Sequence, residues 1–300
     1  MSRRPLGLLL AGALLAACGG GEGGGAQAPA GERSDRLVDF SKPAPYVNAL
    51  DIDPADGDFL LTTNRGFYRI DAETERVETV RGTVTAAGKS SPVGTFLELV
   101  STGPGTLLGS GHPDRPTLPS YLGFMRSDDA GRTWQVITRL GEADLHKIVE
   151  RHDRLYAFDA VLGALLISRD GGNTFTERFT PRGLVIDFVV DPVDPARLLA
   201  ATEDQLHRSE DEGVGWRAID SGEGIRLAWP APGTLLRAEK DGTVSRSADG
   251  GGRFEEVGTT PGEPYKFKAV DAGHLYLALS DGTIVETRDA GATWKAVFSP

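Results

Sequence analysis

"SRDGGNTF", residues 168–175, is an acidic, glycine-rich turn that in isolation would suit a metal ion or a phosphate. It is one of five. "SDDAGRTW" begins at Ser127, "SEDEGVGW" at Ser209, "SADGGGRF" at Ser247 and "TRDAGATW" at Thr287, giving intervals of 41, 41, 38 and 40 residues. A period near forty means one supersecondary unit per copy.

Between the copies the chain reads as strand. From residue 184 to 220, "LVIDFVVDP", "RLLAATED", "QLHRSED" and "WRAID" are short Val-, Leu- and Ala-rich runs broken by Asp, Pro and Gly. The same four beats recur at residues 265–300, and no segment sustains a helical period. Four antiparallel strands per forty residues predict an all-β, six-bladed β-propeller of four-stranded blades. The sixth copy is residues 46–80, which has the strands without the turn motif; its "DIDPADG" parallels "VVDPVDP" at 189–195. Blades are expected near 46–87, 88–142, 143–183, 184–223, 224–262 and 263–300. The last is complete by itself, so ring closure by a swapped strand is expected to be weak or absent, with "DRLVDF" (35–40) the spare segment.

The five turns match the Asp-box pattern S/T-x-D-x-G-x-T/S-W/F, so residues 45–300 resemble the sialidase and sortilin class of Asp-box (BNR-repeat) propellers. Some members are bacterial lipoproteins labelled glycosyl hydrolases. The chemistry of the turn is structural. Ser127, Asp129, Ser168, Asp170, Ser209, Asp211, Ser247, Asp249, Thr287 and Asp289 are placed to accept hydrogen bonds from turn amides. Gly131, Gly172, Gly213, Gly251 and Gly291 fit a tight turn, and Trp134, Phe175, Trp216, Phe254 and Trp294 are apolar plugs between blades. A propeller spaces such turns around one rim, so they cannot converge on a ligand.

The N-terminus is of another kind. Arg3 and Arg4, an apolar run to Ala17 and "LAAC" ending at Cys18 read as an export signal (1–18) that resembles a bacterial lipobox. Cys18 is the only cysteine, which excludes an intrachain disulfide and makes it the expected lipidation site. Residues 19–44, rich in glycine, form a tether. The expectation is a lipid-anchored protein of the cell envelope on the extracytoplasmic side. Loss of Arg3 and Arg4 with the leader leaves 30 basic against 43 acidic side chains. That balance argues against nucleic acid and against membrane contact beyond the anchor.

Function should lie on the face opposite the turns, where strand two to three loops and blade-to-blade links emerge. Two of these are long: 80–95 before blade two and 109–123 within it. They flank "FLELV", which carries Glu98. The candidate ligand-binding residues are Lys89, Glu98, His112, Asp114, Arg115 and Tyr121, with His146 and Lys147 across the channel. His112 and His146 lack a clear third ligand, so no metal is expected, and no cofactor either.

The sialidase resemblance implies a glycoside hydrolase with three arginines on the substrate carboxylate, a Tyr–Glu pair, a catalytic Asp and an R-I-P motif. The mature chain has no R-I-P, and Arg226 is the one clear inner-strand arginine; Tyr121 with Glu98 would have to imitate the pair. No catalytic residue is assigned. The residues favour a monomeric binding or assembly module for a protein, peptide or glycan, with an exo-acting hydrolase as the alternative. A bare envelope scaffold is a third reading, and it predicts that the blade-two loops can be shortened without consequence.

Overall fold

The computed structural model describes residues 46–95 and 97–300. The leader, Cys18, the tether and the segment 35–40 lie outside them. Six sheets form a closed ring; five run outward from an inner strand in chain order, and the sheet of blade two adds an earlier hairpin at its outer edge. The inner strands are Val47–Ile52, Glu98–Gly103, Leu145–Arg151, Asp187–Val190, Arg226–Ala231 and Pro264–Ala269. Each inner strand touches the next, and the first touches the last. This is the six-bladed propeller that the repeat predicts.

Among the described residues, blades one and six join by side-chain packing. Blade six takes all four of its strands from the C-terminal segment, and Val47, Leu50, Phe59, Leu61 and Ile70 of blade one form one core with its Ala278, Ile284 and Phe298. Phe59 meets Tyr276 edge-on, ring centroids 4.9 Å apart. No strand is exchanged among the described residues.

Blade two corrects the sequence reading. The stretch 80–95, expected as a long link beginning a new blade at Gly88, is a hairpin of strands Thr83–Ala86 and Lys89–Pro92. The first of these pairs in parallel with the blade's outermost strand, Thr133–Thr138, which makes a six-stranded sheet. The reason is local: "TVTA" alternates, and Val84 and Ala86 turn inward to the core around Trp134. The added hairpin covers an edge that would otherwise present unpaired backbone groups.

The repeated turns are knots of backbone and short side chains. In residues 168–175, Ser168 Oγ donates to Asp170 Oδ1 (2.8 Å) and accepts from the Gly172 amide (2.8 Å). Asp170 also accepts from the Thr174 amide (2.9 Å) and hydroxyl (2.7 Å). The pattern repeats at Ser127, Ser209, Ser247 and Thr287. The Thr174 amide, then its hydroxyl, lowers the Asp170 pKa, so the carboxylate is committed to its own turn. Gly172 is required at φ 90°, and a Cβ there would stand 2.1 Å from the Phe124 ring of the preceding blade. The terminal aromatics pack between blades at Trp134, Phe175, Trp216 and Phe254. Trp294 instead rests on Phe267 and Leu277 of its own blade.

Candidate functional site

Each inner strand begins at the same end of the channel, opposite the repeated turns, and each brings at least one polar side chain there. In ring order they are Asn48, Glu98, Lys147, Asp187, Arg226 and Lys266, all lining one mouth of about 460 Å³. Below it, the inner strands of all six blades enclose a narrower space of about 200 Å³ whose walls include Leu99, Ile148, Val189 and Leu227. The mouth therefore has a polar collar over a shaft of mixed lining, whose charged members include Asp51, Arg151 and Lys268.

The collar's charges pair unequally. Lys147 bridges to Asp187, whose other oxygen accepts the Leu227 amide at 2.9 Å and so ties blades three, four and five. Lys266 Nζ stands 3.5 Å from Glu98 Oε2. Three cations face two carboxylates, and Arg226 is the surplus. Its guanidinium lies 4.9 Å over the Tyr265 ring, and its buried Nε and Nη1 have no hydrogen-bond partner. Tyr265 in turn packs edge-on against Tyr46 at 5.1 Å. Asn48, 9 % exposed, likewise leaves Nδ2 without a partner. Each such buried donor costs about 1–3 kcal/mol until an acceptor reaches it.

Burial pushes the Glu98 carboxyl up to about 7 despite Lys266, Lys147 and His146 nearby. Burial, reinforced by Tyr46, holds the Tyr265 phenol neutral. Asp144 stands between two histidines, 3.1 Å from His146 Nε2 and 3.6 Å from His112 Nε2. Burial opposes ionisation of Asp144, but the histidines outweigh it and lower its pKa. The His112 pKa is raised, chiefly by that carboxylate. His112 Nδ1 also donates to the Ser120 carbonyl at 2.8 Å, which fixes the ring to its loop. Among the described residues no group of three or more His, Cys, Asp and Glu is placed to hold a metal.

Of the residues expected from sequence, Glu98, His112, His146 and Lys147 meet at the mouth. Tyr121 stands behind His112, ring centroids 5.7 Å apart. Lys89, Asp114 and Arg115 do not reach it. Lys89 is exposed in the added hairpin, opposite Ala86, and the Arg115 amide is held by Ser91 Oγ at 3.3 Å. Asp114 lines a separate crevice between blades one and two with Arg65 and Trp134. The hairpin and the loop bridged to it carry this region to the blade's outer edge. Asn48, Asp187, Arg226 and Lys266 were not among the expected site residues. The signal for them was positional: a polar residue falls within the first three positions of every inner strand, visible when the six are aligned.

The Glu98 shift makes a prediction. A carboxyl raised from its ordinary 4.5 to about 7 on folding contributes stability that is complete below 4.5 and is lost as pH rises through 7. Denaturation of wild type and Glu98→Gln from pH 4.5 to 8 should therefore move the stability difference toward the variant, by up to roughly 3 kcal/mol. Parallel pH profiles would show that Glu98 does not titrate in this range.

No family model matches the chain. Two curated relatives align in part. The Dispase autolysis-inducing protein of Streptomyces mobaraensis is 32% identical over 112 residues, 34% of this chain and 28% of that protein. Xyloglucanase Xgh74A of Acetivibrio thermocellus is 29% identical over 153 residues, 45% of this chain and 16% of the enzyme. The chain thus spans less than a third of either relative's length in these matches. Among solved structures, YCF48 from Cyanidioschyzon merolae superposes with a TM-score of 0.51 at 13% identity, covering 85% of both chains. A structure of YCF48 bound to D1 peptide gives 0.55 at 14% identity, covering 84% of this chain and 81% of that one. These similarities establish the propeller fold.

Proposed function

We propose that this protein is an exported, lipid-anchored propeller of the Asp-box class that acts as a binding or assembly module, taking an anionic ligand at the channel mouth. The observation that carries the reading is the uncompensated Arg226 guanidinium, whose Nε and Nη1 lack partners in a mouth that also holds the unpaired Asn48 amide. A collar with a spare planar cation is suited to hold a carboxylate in a protein whose formal charge is otherwise −11. YCF48, a neighbour in fold, has been seen with a peptide bound, consistent with use of such a scaffold for recognition.

A thermal-shift comparison tests this. N-acetyl-leucine or an oligogalacturonate should raise the melting temperature of the wild type by several degrees at saturation, and a neutral oligosaccharide should not. Arg226→Ala should abolish the response. For the anchor, Cys18→Ala should move the protein from the membrane to the soluble fraction.

Glycoside hydrolysis is the second reading. It is favoured by a buried Glu98 titrating near 7, the range of a general acid, and by the partial match to a xyloglucanase. The mouth contains one arginine among its lining residues, whereas the sialidase resemblance implies three. Turnover of xyloglucan or sialoside substrates that is lost in Glu98→Gln would establish this reading over binding alone.

A further inference from the structure

Beside the mouth lies an apolar ledge that the fold does not use. Val161 and Leu162 in the strand two to three turn of blade three, Phe179 at its outer strand's exit and Leu184 on the link to blade four are 47–73 % exposed. Of these, Leu184 also lines the mouth itself. The ledge is held in shape. Thr180 Oγ1 donates to the Gly163 carbonyl at 2.8 Å, joining its two outer parts. Trp216 Nε1 donates to the Phe179 carbonyl at 2.9 Å, so the backbone is fixed while the ring faces solvent. Presented apolar side chains on a pinned backbone mark an interaction surface rather than a fraying loop.

Resting on the mouth as the ligand site, we infer that the occupant is the free C-terminus of a polypeptide, its carboxylate on Arg226 and its terminal apolar side chains on the ledge. Guanidinium and carboxylate are planar and can meet through two parallel hydrogen bonds. Tyr265 packs against the guanidinium, and Asn48, whose Nδ2 is also unpaired, lines the same mouth. The ledge selects between sources of a carboxylate. Val161, Leu162 and Leu184 are branched aliphatics that offer a sugar ring no flat face, and with the exposed Phe179 ring they suit the apolar side chains of a peptide. Capture of a chain end needs an anion site and an adjoining apolar surface together, and this face provides both.

The experiment passes a fluorescent pool of random decapeptides with free C-termini over the immobilised protein and compares the same pool amidated at the C-terminus. Amidation should lower retention at least tenfold, and the retained peptides should be enriched in apolar terminal residues. Arg226→Ala should bring retention to background, and Arg226→Lys, which keeps charge but not the fork, should fall between. Leu162→Asp with Phe179→Asp, both on exposed side chains, should keep the dependence on the carboxylate and lose the apolar enrichment. Equal retention of free and amidated pools overturns the inference, as does binding of anionic lipid vesicles through the ledge in place of peptide. If the pools are not distinguished but Arg226→Ala still abolishes the N-acetyl-leucine thermal shift, the C-terminus inference fails and the mouth reading stands. If that variant changes neither, both fail.

Discussion

Asp187→Ala should destabilise the protein by about 3–5 kcal/mol, read as a drop in the denaturant midpoint at unchanged slope. Asp187 is 6 % exposed and serves three partners. One oxygen bonds Lys147 and the Phe188 amide, and the other accepts the Leu227 amide of the next blade. Removing the carboxylate leaves a half-buried ammonium facing Arg226 and Lys266 across the collar, with two buried amides unpaired. Repulsion and desolvation then act in the same direction. Asp187→Asn keeps an acceptor for the amides and should recover part of the loss. A change below 1 kcal/mol for the alanine variant would mean that the collar's ion pair does not hold these blades together.

The second large effect is expected at Trp134. It is 1 % exposed and packs with Phe67 and Leu60 of blade one, Val84 of the added hairpin and Leu107 of its own blade. Its Nε1 donates to the Gly131 carbonyl at 2.9 Å. The fit is close: a Cβ on Gly109 would lie 3.0 Å from the indole, and one on Gly82 3.1 Å. Trp134→Ala should cost about 3–5 kcal/mol through lost burial and an unfilled cavity. The damage should be regional. Amide exchange should accelerate first across residues 83–92, whose parallel pairing includes Trp134 opposite Val84, while blades four to six keep their protection. Uniform acceleration around the ring would contradict this, since it would make the propeller one indivisible cooperative unit.

The propeller was legible because its repeated turn is a local device. Ser168, Asp170, Gly172 and Thr174 bond one another within a few residues, so the sequence pattern is the hydrogen-bond pattern. The hairpin at 83–92 was not legible, because its partner strand lies some fifty residues later and pairs in parallel. Nothing local distinguishes "TVTAAGKSSP" from a long link, and Gly88, read as a blade's start, is the hairpin's turn. Glu98 and Lys147 could be found as charges opening apolar strands. Arg226 was visible as an inner-strand arginine but had no assigned site, because its significance depends on what the other five collar positions hold. One polar residue on one strand carries little information. Six in register show three cations against two carboxylates, and only the side-chain geometry shows which cation is left over.

The most direct measurement is the side-chain Nε–H resonance of Arg226, assigned by its absence in Arg226→Lys and followed while N-acetyl-leucine is titrated into the protein. If the mouth is an anion-binding site built around this guanidinium, the resonance moves saturably with the carboxylate and does not move with sodium chloride at matched ionic strength. A resonance that stays in place throughout, or that moves equally with chloride, would contradict the account.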